Sequence, residues 1–209
     1  MTMIKAPKLS RRAFIVSSAA VGGGLAIGFN PFGGVQVVRA ADGSPEIGPW
    51  VVIRPDDTVV VRIARSEMGQ GSLTGLAQMV AEELECDWNK VTWEYPTPGE
   101  NVARKRVWGD YGTGGSRGIR TSHDYVRKGG AAARIMLVQA AADSWKVPPS
   151  ECTVSNSVIT HKASGKTTSY GKVVEAAAKL TPPADADVKL KDPKDWKIAG
   201  KGLDRKSVV

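Results

Sequence analysis

Arg65-Ser66-Glu67-Met68-Gly69-Gln70-Gly71-Ser72-Leu73-Thr74 runs directly into Gly75-Leu76-Ala77-Gln78-Met79-Val80-Ala81-Glu82-Glu83-Leu84. In the second half, Leu73, Leu76, Ala77, Val80, Ala81 and Leu84 fall at the i, i+3, i+4, i+7 spacing of a helix burying one face. Upstream, residues 58–64 are rich in β-branched side chains, so the first half is read as a strand-to-helix turn. Gly69 and Gly71 then sit where backbone N–H groups near a helix N-terminus face outward. Such groups can take an anion, and the Gln70 amide can match a heterocycle edge. The plainer alternative, which spacing alone favours, is a turn in which glycine supplies positive φ and Gln70 is solvated. At the other end, Glu82, Glu83 and Glu85 oppose the helix dipole, so tertiary packing must hold that end. As a cluster these carboxylates are expected on a solvated helix face.

Working outward, residues 50–54 and 58–64 flank Pro55-Asp56-Asp57 and predict a hairpin. Val91, Trp93 and Tyr95 alternate with Thr92 and Glu94, a third strand with one apolar face. Residues 96–108, with Pro96, Pro98, Gly99 and several charges, read as a loop. A long helix is expected over residues 122–145. Its run from Gly129 to Ala133 has so little bulk that another backbone or a rigid ligand can lie against it. Residues 152–154 and 158–161 suggest a second hairpin, and a shorter helix follows Ser169 as a possible N-cap. The order ββαβ, loop, αββα predicts an α+β fold with helices packed on a small mixed or antiparallel sheet. Residues 181–209, with Pro182, Pro183 and several lysines, look like a linker.

A second glycine-bearing segment, Tyr111-Gly112-Thr113-Gly114-Gly115-Ser116-Arg117-Gly118, precedes the long helix. Successive small residues can form a concave nest of N–H groups, and Thr113, Ser116 and Arg117 add hydroxyls and a cation suited to phosphate. The G-x-G-x-x-x-G spacing is one residue too long for a dinucleotide fingerprint. A flexible loop and a phosphate cradle are both open on composition.

The chain has 209 residues, 29 Lys plus Arg against 21 Asp plus Glu, and a formal charge of +8. Residues 1–40 hold Lys5, Lys8, Arg11, Arg12 and Arg39 and no acid. The remaining 24 bases and 21 acids leave only +3 for residues 41–209. A nucleic-acid binder keeps its basic excess in the folded part, so that class is set aside. Arg11-Arg12-Ala13-Phe14, an uncharged Gly-, Ala- and Ser-rich stretch, and Arg39-Ala40-Ala41 resemble a twin-arginine export signal. That signal implies a periplasmic protein, free or membrane-associated. Two cysteines and two histidines are too few for a disulfide framework, a four-thiolate site or His-based zinc chemistry.

Taken together, the two glycine segments resemble the molybdopterin-binding subunit of the xanthine dehydrogenase and aldehyde oxidase family, most of all its isoquinoline 1-oxidoreductase beta-subunit branch. Residues 65–71 with Thr74, 76–84 and 112–116 carry the resemblance. It continues through Gly129-Gly130-Ala131-Ala132-Ala133-Arg134, His161, Ser164-Gly165-Lys166 and Tyr170-Gly171 to Leu190-Lys191-Asp192-Pro193. The resemblance implies that Met68, Gly69, Gln70 and Gly71 bind the pyranopterin cofactor from one side, in its molybdopterin cytosine dinucleotide form. Thr113, Gly114, Gly115 and Ser116 would bind it near the metal and phosphates. The molybdenum is held by the cofactor's own sulfurs, so Cys86 and Cys152 are expected to be small buried residues rather than ligands.

The family hydroxylates aldehydes or N-heterocycles with oxygen from water, using a glutamate base in a C-terminal motif that this sequence lacks. Glu67 belongs to the turn and is not that base. The resemblance therefore implies the N-terminal part of a larger subunit, inactive alone. Its implied partners are the remainder of that subunit, a small [2Fe-2S] subunit, since no cluster motif occurs here, and a c-type cytochrome. An exported, non-enzymatic anion-binding or assembly module and a truncated remnant are the competing expectations.

Overall fold

The computed structural model describes residues 43–203, so the expected export signal lies outside the described residues. Strands β1 (Val51–Ile53) and β2 (Val59–Arg62) form the expected hairpin, with Val51 opposite Val61. Helix α1 (Ser72–Leu84) then crosses over to β3 (Val91–Glu94), which pairs parallel to β2 with Val59 opposite Val91. A parallel neighbour needs such a crossover, since a two-residue turn joins only antiparallel strands. Helices α2 (Pro98–Ala103), α3 (Arg117–Arg120) and the long α4 (His123–Trp145) follow. Strands β4 (Cys152–Ser155), β5 (Val158–His161) and β6 (Lys166–Ser169) make a second, antiparallel sheet, and α5 (Tyr170–Ala177) closes the fold. The α+β class holds, with two three-stranded sheets, one mixed and one antiparallel, instead of a single one.

The core is the apolar stripe of α1 (Leu76, Ala77, Val80, Ala81, Leu84) laid between Val51, Ile53, Val59 and Val61 of the first sheet and Val126, Ala133, Met136 and Leu137 of α4. The α1–α4 approach depends on Gly130, where a Cβ would stand 2.6 Å from the Val80 carbonyl oxygen. At the preceding residue, a Cβ at Gly129 would stand 2.9 Å from the Trp50 indole. The small-residue run of α4 thus accommodates a helix backbone and an aromatic ring.

Several expectations are corrected. Residues 96–108 are not all loop: α2 starts at Pro98, and the Thr97 hydroxyl accepts from the Glu100 N–H at 3.2 Å. Thr-Pro-x-Glu carries both helix-start signals, an N-cap hydroxyl and proline in the first turn. Strand β6 had no counterpart in the sequence reading. The apolar face of β3 fades outward, Trp93 being half-buried and Tyr95 42% exposed. Helix α5 begins after Ser169 as expected, yet that side chain makes no cap bond.

The largest correction concerns Glu82 and Glu83, which are 1% and 0% exposed and not a solvated face. Glu82 accepts from the backbone N–H groups of Lys197 (2.8 Å), Ile198 (2.5 Å) and Ala199 (3.1 Å) and pairs with the Lys191 ammonium. Burial alone would raise its pKa, but Lys191 and these N–H groups outweigh that and hold it below the usual carboxylate value. Glu83 takes the Arg127 guanidinium at 2.6 Å and the Lys191 N–H at 3.0 Å. Residues 191–199, within the stretch expected to be a linker, are thereby fastened over the C-terminal end of α1. The tertiary packing demanded there by the helix dipole comes from this strap.

Candidate functional site

Gly69 (φ 95°) and Gly71 (φ 77°) both occupy the left-handed region, and Gly71 is the N-cap residue of α1. The turn's N–H groups are not free. The Glu67 carboxylate accepts from Gly69 (2.8 Å), Gly71 (2.9 Å) and Leu73 (2.9 Å), filling the helix N-terminus with the chain's own anion. Nor does Gln70 offer its amide outward. Its carbonyl accepts from the Met68 N–H at 2.5 Å, and its NH2 donates to the Ser66 carbonyl (2.8 Å) and the Ser72 hydroxyl (2.7 Å). The expected anion seat at this turn is therefore corrected: Glu67 already neutralises the partial positive charge that an anion would seek.

The second segment is tied to the first. The Thr113 hydroxyl accepts from the Ser66 N–H at 2.9 Å, and the Tyr95 hydroxyl accepts from the Glu67 N–H at 3.0 Å. Arg65, three residues past β2, donates to the Gly112 carbonyl (2.5 Å), Asp110 (3.1 Å) and the Ser122 hydroxyl (3.2 Å). Asp110 also accepts from the Gly112 N–H (2.9 Å). That bond, followed by the Arg65 guanidinium, lowers its pKa. Tyr111 donates to the Thr97 carbonyl (3.1 Å) and, through burial and the Glu100 charge, has its pKa pushed up to about 12. Beyond these anchors the backbone turns left-handed at Gly115 (φ 56°) and Ser116 (φ 58°). Among the described residues, no group accepts from the N–H of Gly114, Gly115 or Ser116, and Arg117 stands beside them.

The two segments face each other across one cleft of about 340 Å3. Met68, Gln70, Thr113, Gly114 and Ser116 line it, together with Ser72, Arg117, Gly118 and Ile119. The structure thus brings together five of the eight residues singled out in the sequence. Gly69, Gly71 and Gly115 shape the same turns without lining the cleft. A Cβ at Gly115 would meet nothing within 4 Å, and Met68 is 68% exposed, so one side of the cleft is open. Sequence reasoning missed Ile119 and Ser72 in the wall and the staples made by Arg65 and Tyr95; only the Arg65 position within the motif hinted at the former. A larger cavity of about 540 Å3, between α4 and β4, contains none of the predicted residues. Cys86 is buried and Cys152 half-buried; burial and then the Glu151 charge raise the Cys152 thiol pKa. Among the described residues, no helix is long and apolar enough to cross a membrane.

With that geometry in place, the family model of the molybdopterin cofactor-binding domain matches residues 5–205. The chain belongs to this family. The domain is similar, at 35% identity over 201 residues, to the membrane-bound aldehyde dehydrogenase [pyrroloquinoline-quinone] of Gluconacetobacter polyoxogenes, covering 92% of this chain and 25% of that protein. It is 32% identical over 170 residues to isoquinoline 1-oxidoreductase subunit beta of Brevundimonas diminuta, covering 80% of this chain and 22% of that one. Among solved structures it resembles quinoline 2-oxidoreductase from Pseudomonas putida 86 at 21% identity and a TM-score of 0.47, over 70% of this chain and 19% of that chain. The domain thus spans about a quarter or less of the length of these proteins.

Proposed function

We propose that this domain forms one wall of the molybdopterin site in the large subunit of a molybdenum hydroxylase that oxidises aldehydes or N-heterocycles with oxygen from water. The observation that carries the reading is the cleft into which both glycine segments converge, lined on one flank by Gly114 and Ser116, whose N–H groups, like that of Gly115 between them, have no partner among the described residues. These residues fit a rigid ring system bearing anionic groups. Open amides and Arg117 supply donors for phosphate, and the open space beside Gly115 admits a flat ligand close to the backbone.

The cleft is polarised. Because Glu67 occupies the α1 N-terminus, the anionic part of the ligand belongs on the Gly114–Arg117 flank, and Met68, Gln70 and Ile119 present the less polar one. When bound, the cofactor supplies the redox centre; the chain's own residues bind it, orient it and exclude water. The cytosine dinucleotide form, periplasmic export by the twin-arginine route, a [2Fe-2S] partner subunit and a c-type cytochrome acceptor complete the reading. The remainder of the large subunit closes the open side and brings the catalytic base, so the chain alone does not turn over.

Molybdenum and pterin content of the assembled complex tests this. Near-stoichiometric loading is expected, and its absence from a correctly assembled complex removes the assignment.

A further inference from the structure

Residues 102–107, Val-Ala-Arg-Lys-Arg-Val, form a ridge whose tips are exposed: Val102 (65%), Val107 (36%), Lys105 and Arg106. Lys105 (φ 55°) and Arg106 (φ 59°) are consecutive non-glycine residues in the left-handed region. Such a conformation is strained for a residue with a Cβ and persists only where its surroundings over-determine it. Here they do. Between Val102 and Lys105, Arg104 turns inward, pairs with Glu46 at 3.0 Å and lies 4.7 Å over the Trp108 ring. Trp108 donates its indole N–H to the Pro49 carbonyl (2.9 Å) and its backbone N–H to Asn101 (3.0 Å). Asn101 also donates to the Gly109 carbonyl (2.8 Å), and its own carbonyl accepts from the Arg106 N–H (2.7 Å).

Both feet of the ridge are therefore clamped, and its tips are held rigidly in solvent. The two buried arginines, Arg104 within the ridge and Arg62 of β2, each meet the Glu46 carboxylate. Lys105 and Arg106 meet no acid among the described residues. Two uncompensated cations between exposed valines match the mixed apolar and charged character of a protein interface. A fluid anionic lipid surface recruits charge without a fixed backbone shape; a strained, doubly anchored ridge is suited to a partner of defined contour. Its C-terminal foot leads through Asp110 and Gly112, both held by Arg65, into the loop that lines the cleft.

We propose that this ridge docks an acidic face of the electron-accepting protein that serves the cleft. The inference rests on the oxidoreductase reading above: two electrons leave per substrate, and this chain has no cluster or haem motif of its own. The test uses the assembled large subunit with its iron–sulfur subunit as probe, and measures their dissociation constant against salt concentration. The double variant Lys105→Glu/Arg106→Glu is expected to weaken association about tenfold to a hundredfold and to reduce its salt dependence. The control Lys162→Glu/Lys166→Glu, at two exposed positions on the β5–β6 turn and the start of β6, leaves it unchanged. Unaltered affinity in the first variant overturns the proposal. So does loss of binding to vesicles of phosphatidylcholine and phosphatidylglycerol with subunit association intact. The readout is protein association, so it stands apart from molybdenum content: metal-loaded complex with unaltered docking sinks this inference alone, whereas metal-free complex sinks the reading beneath it.

Discussion

Replacing Glu67 by Gln tests whether the chain's own carboxylate organises the turn. The substitution preserves shape and one carbonyl oxygen, which can keep the Gly69 and Gly71 N–H groups at 2.8 and 2.9 Å. The other oxygen becomes an NH2 group facing the Leu73 N–H, donor against donor, where a 2.9 Å bond stood. A hydrogen bond to a charged group contributes about 1.5–3 kcal/mol net, and a negative charge in the first helical turn about 0.3–1 kcal/mol. Glu67 is half-buried, so the lower ends apply, giving a loss of about 2 kcal/mol. For a domain of this size that lowers Tm by about 4–8 °C. Thermal unfolding by circular dichroism reads the shift, and amide exchange at Gly69, Gly71 and Leu73 locates it. A Tm within about 1 °C of the parent, with unchanged exchange at those amides, would show that Glu67 does not hold the turn.

Three further outcomes are expected. Gly115→Val abolishes cofactor loading, whereas Gly165→Val, equally left-handed at φ 67° but on the β5–β6 turn, imposes comparable backbone strain and leaves loading intact; metal analysis separates them. Glu82, whose pKa is lowered in the fold, stabilises the strap fully above the unfolded glutamate value of about 4.3, and this stability is lost as pH falls through the lower folded value. Glu82→Gln should therefore flatten the acid limb of the stability curve and speed exchange at residues 197–199. Gly130→Ala places a Cβ 2.6 Å from the Val80 oxygen, and overpacking of this kind costs about 1–3 kcal/mol, read as a lower denaturation midpoint.

Helix α1 was legible because its apolar residues recur at helical spacing, and the hairpins because turn residues separate β-branched runs. The parallel pairing of β2 with β3 was not, since strand direction follows from where the crossover helix packs. Thr97-Pro98-Gly99-Glu100 did carry a helix start, masked by the density of proline and glycine around it. At the site, both segments were visible as glycine clusters, but their hydrogen bonding was not. The Glu67 carboxylate reaches two, four and six residues ahead, a local pattern that could have been read from its position before Gly69 and Gly71. The burial of Glu82 could not, because its partners lie more than a hundred residues later and only the folded chain returns them to α1.

The cleft between residues 68–72 and 113–119 is proposed to hold the cofactor in a fixed polarity. An experimental structure of the metal-loaded complex, with anomalous data collected at the molybdenum edge, tests it most directly. Pterin density is expected within this cleft and phosphate oxygens on the N–H groups of Gly114, Gly115 and Ser116, with Glu67 still bonded to Gly69, Gly71 and Leu73. Phosphate seated on the N-terminus of α1 with Glu67 displaced, or a cofactor bound away from both segments, would contradict it.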